Sequence, residues 1–133
     1  FSDDGSLFSV LSNDFGAPTH VITQGDRLLV SDRGRGEIVS IDGSGKKTVL
    51  LAGLDSPEGI AISDNTIYVY EGDTGEIKRH DASGTEVIAN LSSGSPAATP
   101  VQPPSMVFNG LTLHDGALFA TDERERAIYR IPL

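Results

Sequence analysis

The sequence predicts an all-β fold that is built from a repeated unit of four short strands. Helical periodicity is nearly absent, and turns rich in Asx residues and glycine separate short apolar runs. The unit is clearest in the middle of the chain, where four such runs follow one another at 60–62, 67–70, 77–80 and 85–88. Short strands that are joined by turns of this kind form an antiparallel meander.

The same unit occurs before and after the middle one. At a spacing of 39 positions the first and middle units share six residues, namely Pro18 with Pro57, Gly36 with Gly75, Glu37 with Glu76, Ile38 with Ile77, Asp42 with Asp81 and Gly45 with Gly84. At a spacing of 51 positions the middle and last units share four, namely Gly59 with Gly110, Asp64 with Asp115, Ile77 with Ile128 and Arg79 with Arg130. A repeat of about 40 residues and four strands is typical of a β-propeller blade.

The chain is therefore interpreted as a single β-propeller unit, residues 1–133. Its segments are an outer strand that completes another blade (1–11), a first blade (16–52), a middle blade (54–91), a loop rich in proline and serine (92–105) and three inner strands of a last blade (106–133). The loop cannot supply ladder donors or pack a core. It is either a tolerated insertion at a blade junction or a lid or contact segment beside the central channel.

The strands outside the middle blade are predicted from the same pattern. They lie at 19–23, 28–31, 37–41 and 46–51 in the first blade, at 111–113, 118–121 and 127–131 in the last blade, and at 7–11 for the N-terminal outer strand. The last blade lacks an outer strand, which is the strand that the N-terminal segment holds in surplus. Propellers remove exposed edges by pairing such terminal strands in one blade.

Three blades do not close a ring, because propellers typically have four to eight. Two solutions follow from the strand count. Two copies of the chain can pair head to tail as a six-bladed homodimer, in which each N-terminal strand completes the last blade of the other copy. Alternatively, the chain is one half of a longer six-bladed protein.

The bulk properties narrow the range of partners. The formal net charge is −9, which argues against nucleic acid and against an anionic membrane surface. No apolar run approaches membrane-spanning length, and the chain contains no cysteine. We expect an acidic, soluble protein whose compartment the sequence leaves open, a secreted or periplasmic location included.

Several short motifs resemble two related groups of propellers. They are Pro-Glu-Gly-Ile-Ala at 57–61, Asn-Gly-Leu-Thr at 109–112, and the strand endings Val-Ser-Asp at 30–32 and Ala-Thr-Asp at 120–122. One group is the NHL-repeat propellers, and the other is the gluconolactonase/regucalcin (senescence marker protein) family of six-bladed propellers. The resemblance covers essentially the whole chain and implies the fold more strongly than the function, because both groups include lactonases, lyases and binding modules.

The residues just before each innermost strand are expected at the mouth of the central channel. They are Thr19, His20, Glu58, Gly59, Asn109 and Gly110. Resemblance to the gluconolactonase family implies one divalent cation at this level, Ca²⁺ or another, with Glu58 and Asn109 as ligands. The family's third ligand, an Asp, is missing, because the first blade has Thr19 and His20 in that register. The alternative is that Glu58 is solvated or caps local amides.

Two residues are candidates for acid–base chemistry. His20 either lines the channel as a catalytic group or ligand, or packs near the axis as a strand residue. The virginiamycin B lyase group, a further propeller family, uses a Glu and a His near the channel, and Glu71 with His20 resembles that pair. His80 and His114 are predicted to be solvated, because they fall at strand ends or in turns.

Acidic residues recur at the end of every second strand, at Asp32, Glu71 and Asp122. Their repetition predicts a structural role, such as accepting hydrogen bonds from turn amides. Four arginines follow these strands and are expected either to pair with the acids or to hold an anionic substrate; they are Arg33, Arg35, Arg124 and Arg126.

Three functions are compatible with these observations. The first is a gluconolactonase-like, metal-dependent hydrolase, in which the cation would polarise a carbonyl group or activate a water. The second is a non-catalytic NHL-type module that presents its loops to a protein or a carbohydrate. The third is a lyase that resembles the virginiamycin B lyase group.

Overall fold

A computed structural model of the chain describes residues 9–91, 109–123 and 125–133. Strands are the regular secondary structure of these residues, and the all-β prediction is confirmed. The eleven strands are β1 (Pro18–Gln24), β2 (Arg27–Asp32), β3 (Glu37–Ile41), β4 (Lys47–Leu51), β5 (Pro57–Ser63), β6 (Thr66–Glu71), β7 (Glu76–Asp81), β8 (Gly84–Asn90), β9 (Leu111–His114), β10 (Ala117–Asp122) and β11 (Ala127–Pro132).

The strands form three antiparallel sheets in chain order. The first sheet is β1-β2-β3-β4, the middle sheet is β5-β6-β7-β8, and the last sheet holds β9-β10-β11. Two-residue turns join the first two strands of each sheet, and the first residue of each turn has a positive φ, at Gly25, Asp64 and Asp115. Glycine and aspartate are among the residues that accept this conformation. The sheets are consistent with blades of a β-propeller.

The N-terminal outer strand differs from the expectation. Residues 9–11, which are the described part of the predicted strand at 7–11, are not in a strand. The rest of that segment and the loop at 92–105 lie outside the described residues. Pairing of the N-terminal segment with the last sheet therefore stays a prediction.

Two apolar interfaces hold the sheets together. The first interface joins the first and middle sheets through Leu29, Ile38, Ile60, Ile67 and Val69. The second interface joins the middle and last sheets through a more aromatic cluster, made of Ala61, Tyr68, Tyr70, Ile77, Leu111, Leu118 and Ala120. Strands β1, β5 and β9 are neighbours across these interfaces, so the first strands of the three sheets lie side by side.

A β-bulge lies at the start of both β1 and β5. The pairing register shifts between Pro18 and His20 in the first sheet and between Pro57 and Ile60 in the middle sheet. A bulge re-aims the side chains that it contains. The bulges therefore set the directions of four of the six residues that the sequence assigned to the channel mouth, namely Thr19, His20, Glu58 and Gly59. In the described part of the chain, no helix is long and apolar enough to span a membrane.

Candidate functional site

The candidate site lies where β1, β5 and β9 begin, and hydrogen bonds across the first interface fix its geometry. The Thr19 hydroxyl donates to the Pro57 carbonyl oxygen at 3.2 Å. The Ser31 hydroxyl donates to the Glu58 carbonyl oxygen at 2.6 Å. Because these bonds join side chains of the first sheet to backbone groups of the middle sheet, they hold the two bulges against each other.

His20 belongs to the same set of contacts. Its Nδ1 accepts a hydrogen bond from the Ile60 backbone N–H at 2.9 Å. A neutral imidazole that accepts at Nδ1 carries its proton on Nε2. Burial lowers the pKa of His20 below its usual 6.5, so the ring is neutral at physiological pH. His20 thus presents a hydrogen-bond donor from a fixed ring.

A cleft of about 320 Å³ runs beside His20 along the first strands of the three sheets. Its lining is aliphatic except for one imidazole and two hydroxyl side chains; the residues are His20, Ile22, Thr23, Ile60, Ala61, Ile62, Leu111, Thr112 and Leu113. An apolar wall with a few polar groups is the usual composition of a small-molecule site. This volume is at the small end of the roughly 300–1,000 Å³ that such sites span.

Glu58 connects all three sheets. One carboxylate oxygen accepts the Asn109 backbone N–H at 2.8 Å, while the other lies 3.7 Å from the Arg33 guanidinium. Burial raises the pKa of Glu58 above its usual 4.5, and the Asn109 N–H and the Arg33 charge oppose that rise. Among the interpretations of Glu58, these contacts favour one that caps local amides over one that is solvated, because its side chain is 7% exposed.

Hydrogen bonds also fix the start of the last sheet, but other groups make them. The Asn109 side-chain oxygen accepts the Glu123 backbone N–H at 3.0 Å. The Gly110 N–H donates to the Thr121 hydroxyl oxygen at 2.7 Å. At Gly59, a Cβ atom would come within 2.5 Å of the Leu111 nitrogen. Glycine at this position therefore permits the last sheet to approach the middle sheet closely.

The structure brings Glu58 and Asn109 together, as the sequence predicted, but engages their oxygens in other bonds. Both Glu58 oxygens and the Asn109 side-chain oxygen face protein donors, so as placed they do not offer a cation an open set of ligands. The described residues hold no group of three or more His, Asp or Glu side chains that could ligate a metal. The divalent cation stays a prediction.

Glu71 and His20 have separate partners. Glu71 is fully buried, and one of its oxygens lies 2.8 Å from Lys78 Nζ. The ion pair with Glu71 is the main reason that the pKa of Lys78 is raised. Glu71 does not line the cleft beside His20. Their resemblance to a catalytic Glu/His pair remains a prediction that this arrangement does not favour.

The structural role predicted for the acids at the strand ends is confirmed for two of the three. Asp32 accepts the backbone N–H groups of Gly16, Ala17 and Arg35 at 2.8–3.2 Å. Burial alone would raise the pKa of Asp32, but these three donors hold it below its usual value. Asp122 accepts the Glu125 N–H at 3.2 Å.

Two of the four arginines form ion pairs with carboxylates other than the acids at the strand ends. Arg35 pairs with Asp14 at 2.8 Å, in an exposed position. Arg33 lies 3.7 Å from both Glu58 and Asp73. Asp32 meets Arg35 through the Arg35 backbone N–H, at 3.2 Å, while Glu71 pairs with Lys78. Arg124 lies outside the described residues.

His80 was wrongly predicted to be solvated. Its ring is buried, with Nδ1 at 2.9 Å from the Thr85 hydroxyl, and burial lowers its pKa. The prediction failed because His80 lies within β7, paired on its two sides with Ile67 of β6 and Thr85 of β8, and is not in a turn. His114 is exposed, as predicted.

Sequence reasoning missed Ser31 and Gly72. Ser31 shares its register with Tyr70 and Thr121, so the repeat alignment could have shown a residue with a hydroxyl group at this position in every sheet. A Cβ at Gly72 would come within 1.7 Å of a Glu58 carboxylate oxygen. Nothing local in the sequence signals this contact, because it joins the end of one strand to the start of another.

Comparison with known proteins identifies similar folds. No protein-family model and no curated protein sequence matches the chain. Two solved structures of virginiamycin B lyase from Staphylococcus aureus have folds that are similar to this chain. The selenomethionine-substituted enzyme matches with a TM-score of 0.53 and 16% identity, over 99% of this chain and 47% of its own. A catalytically inactive variant with quinupristin matches with a TM-score of 0.51 and 17% identity, over 90% of this chain and 42% of its own.

These likenesses support the propeller architecture. The chain spans just under half the length of the two lyase chains. The gluconolactonase-like interpretation is not confirmed, whereas the third predicted function names the enzyme group to which these similar folds belong.

Proposed function

We propose that the chain forms part of a β-propeller lyase, and that His20 binds the carbonyl oxygen of a small substrate in the cleft. The neutral, fixed imidazole of His20 beside an aliphatic cleft carries the proposal. The fold shared with virginiamycin B lyase supports it. An apolar wall suits a compact, mostly apolar molecule whose polar group is an ester or amide.

A donor at His20 suits an elimination next to a carbonyl group. In such a reaction a C–H bond breaks, its electron pair forms a C=C bond, and the neighbouring C–O bond breaks with its pair leaving on a carboxylate oxygen. Negative charge develops on the carbonyl oxygen when the proton leaves. A neutral imidazole N–H that is aimed at this oxygen stabilises that charge without first losing a proton.

The reaction also needs a proton acceptor. The described residues that line the cleft include no carboxylate, and His20 is its one imidazole. We assign the acceptor role to an imidazole or a carboxylate of further blades that face this cleft across the channel. The same cleft without an acceptor is a binding site, which is the function that remains if turnover is absent.

The lyase and hydrolase alternatives differ in the mass of their product. An elimination that opens a ring leaves the mass unchanged, whereas hydrolysis adds one water. Virginiamycin B, the compound in the name of the similar enzymes, is the first probe for turnover by mass spectrometry, and quinupristin is the probe for binding by calorimetry. The proposal expects a ring-opened product of unchanged mass.

Replacement of the imidazole provides the matched comparison. His20→Phe keeps a ring of similar size and removes the N–H, so turnover should fall about a hundredfold. His114→Phe makes the same change at an exposed histidine and should leave turnover unaltered. A product heavier by one water would favour the hydrolase, and absence of both binding and turnover in the unmodified chain would refute the proposed function.

A further inference from the structure

One asparagine of the chain is followed by glycine, at Asn109-Gly110. Asparagine is chemically labile, because the backbone nitrogen of the next residue can attack its side-chain carbonyl carbon. A side chain on that next residue hinders the attack, and glycine has none. The other asparagines precede aspartate, threonine and leucine, so this reaction selects position 109; they are Asn13, Asn65 and Asn90.

The reaction needs water as its second reactant and nothing else. The Gly110 nitrogen gives up its proton and forms a bond to Cγ of Asn109, while the carboxamide C–N bond breaks and the amide nitrogen leaves with that proton as ammonia. The product is a cyclic succinimide. Water then adds to either of its carbonyl groups and opens the ring to aspartate or to isoaspartate, whose backbone is longer by one carbon atom.

Hydrogen bonds hold both reacting groups in place. The Gly110 N–H donates to the Thr121 hydroxyl oxygen at 2.7 Å, and the Gly110 carbonyl oxygen accepts the Thr121 N–H at 3.1 Å. The Asn109 side-chain oxygen accepts the Glu123 N–H at 3.0 Å. A nitrogen that attacks must leave the Thr121 hydroxyl, and a carboxamide that turns towards it must leave the Glu123 N–H. Each departure costs a hydrogen bond, which slows the reaction.

The site is open to the water that the reaction consumes. Asn109 and Gly110 are half-buried, and Thr121 is exposed. Among the described residues that are not its chain neighbours, a Cβ atom at Gly110 would meet the Thr121 hydroxyl oxygen alone, at 3.4 Å. In this part of the chain, hydrogen bonds and not packing therefore oppose the reaction.

We propose that Asn109-Gly110 is a site of spontaneous deamidation, and that the Thr121 hydroxyl sets its rate in the folded chain. Conversion would alter the junction of the middle and last sheets, because the Asn109 N–H donates to Glu58 at 2.8 Å. Aspartate adds a negative charge to the residue that the buried Glu58 carboxylate contacts. Isoaspartate also shifts Gly110 from the position in which it pairs with Thr121.

The test follows the peptide that contains position 109 by mass spectrometry, while the full chain is incubated at neutral pH, either folded or unfolded in urea. The unfolded chain should convert at least about tenfold faster than the folded chain, because it lacks both restraining bonds. Thr121→Val should convert about fivefold faster than the unmodified folded chain, because the Gly110 N–H has lost its acceptor.

Two further variants isolate the hydroxyl. Thr121→Ser keeps it and should convert at the rate of the unmodified chain. Thr48→Val makes the same change as Thr121→Val at an exposed threonine of β4 and should leave the rate unaltered. Circular dichroism measures the folded fraction of each variant. Hydrogen exchange should show a protected Gly110 N–H in the unmodified chain and in Thr121→Ser, and weaker protection in Thr121→Val.

Several results would overturn the proposal. Equal rates in Thr121→Val and the unmodified folded chain would remove the role of Thr121, and so would a Thr121→Ser chain that converts as fast as Thr121→Val. Equal rates in the folded and unfolded chains would mean that the fold exerts no control. Absence of conversion at position 109 in the unfolded chain would remove the site. These outcomes do not involve His20 or the cleft, so they are distinct from failure of the lyase proposal.

Discussion

The two interfaces between the sheets bring neighbouring first strands together with different residues in the same register. At the first interface, His20 fills the bulge and its ring accepts the Ile60 N–H. At the second interface the same register holds Gly59, and the backbone of Leu111 lies where a side chain would stand. One interface keeps a side chain beside the cleft, while the other brings the two sheets closer together.

The difference shows where the repeat can carry function. Ser31 and Thr19 hold the first interface by side-chain bonds to the carbonyl groups of the middle sheet. With these bonds in place, the adjacent position is available for an imidazole. At the second interface aromatic packing of Tyr68 and Tyr70 against Leu118 accompanies the close approach. The polar interface is therefore the one that a binding group can occupy.

Substitution of Gly59 should break the second interface with the largest effect. In Gly59→Ala the new Cβ would come within 2.5 Å of a backbone nitrogen and 2.8 Å of a backbone carbon of the last sheet. Overpacking of this kind typically lowers the free energy of unfolding by about 1–3 kcal/mol, and we expect the upper end, because backbone atoms must move. Chemical denaturation followed by circular dichroism measures the change.

Gly43→Ala is the matched control for this substitution. A Cβ at Gly43 would meet no atom within 4 Å, so its effect should be confined to local backbone preference. If Gly59→Ala proved as stable as Gly43→Ala, the close approach of Leu111 would not be a constraint.

Glu58 links the two interfaces, and its two replacements should differ. Glu58→Ala leaves the Asn109 N–H without its acceptor and should lower the free energy of unfolding by about 2 kcal/mol. Glu58→Gln keeps an acceptor oxygen and removes the charge whose burial raises the pKa, so it should change stability far less at neutral pH. Thermal unfolding of both variants measures the difference, and equal losses would contradict a hydrogen-bonding role.

The same pair of variants tests the predicted cation. If Ca²⁺ binds at Glu58, adding it to chelator-treated protein should raise the melting temperature of the unmodified chain and not that of Glu58→Gln.

A double-mutant cycle with Gly72→Ala tests the position of the Glu58 carboxylate, because a Cβ atom at Gly72 would displace that carboxylate. The losses from Gly72→Ala and Glu58→Ala should be less than additive.

The fold was largely predictable because the repeat depends on features that are local in the sequence. Turn residues such as Asp64 and Asp115, and the spacing of Ile38, Ile77 and Ile128, are read directly along the chain. The strands found at the predicted positions follow from that pattern. The exposure of Ile128 could not be read in this way, because a side chain's burial depends on which sheet covers it.

The sequence predicted which positions form the site, but not the hydrogen bonds between them. The sequence correctly grouped Glu58 with Asn109 and placed His20 at the start of β1. It did not reveal that Asn109 meets Glu58 through its backbone, or that His20 accepts the Ile60 N–H. These bonds cross between sheets and depend on the bulges, which a single sequence does not specify.

Acid should weaken the first interface before the second. The pKa of His20 is lowered in the folded chain, so the unfolded chain binds the proton more tightly. The stability that the neutral ring confers is fully present above pH 6.5 and is lost as the pH falls from 6.5 through the folded pKa. Protonation at Nδ1 also removes the acceptor of the Ile60 N–H.

His80 titrates with the same sign and must be separated from His20. Its pKa is also lowered by burial, with Glu71 opposing and Lys78 assisting the shift. The free energy of unfolding, measured by denaturation at several pH values between 7.5 and about 5, should therefore depend less steeply on pH in His20→Gln and in His80→Gln than in the unmodified chain. If the pH dependence of stability were as steep in His20→Gln as in the unmodified chain, His20 would not be a buried neutral acceptor.

Glu58 has the opposite effect on the pH dependence of stability. Because its pKa is raised in the folded chain, stability falls as the pH rises from 4.5 through the folded pKa.

The hydroxyl bonds of the first interface should give the smallest effect. In Ser31→Ala the Glu58 carbonyl oxygen loses a donor at 2.6 Å within the protein, and the expected loss is about 1 kcal/mol of unfolding free energy. The loss should be accompanied by weaker protection of the Ile60 N–H in hydrogen exchange, because β5 is then held less firmly against His20. Ser63→Ala, a strand serine at the other end of β5, is the control. Equal protection of Ile60 in both variants would mean that His20 is positioned by its own bond and not by the surrounding interface, and the polar interface would then be a set of independent contacts.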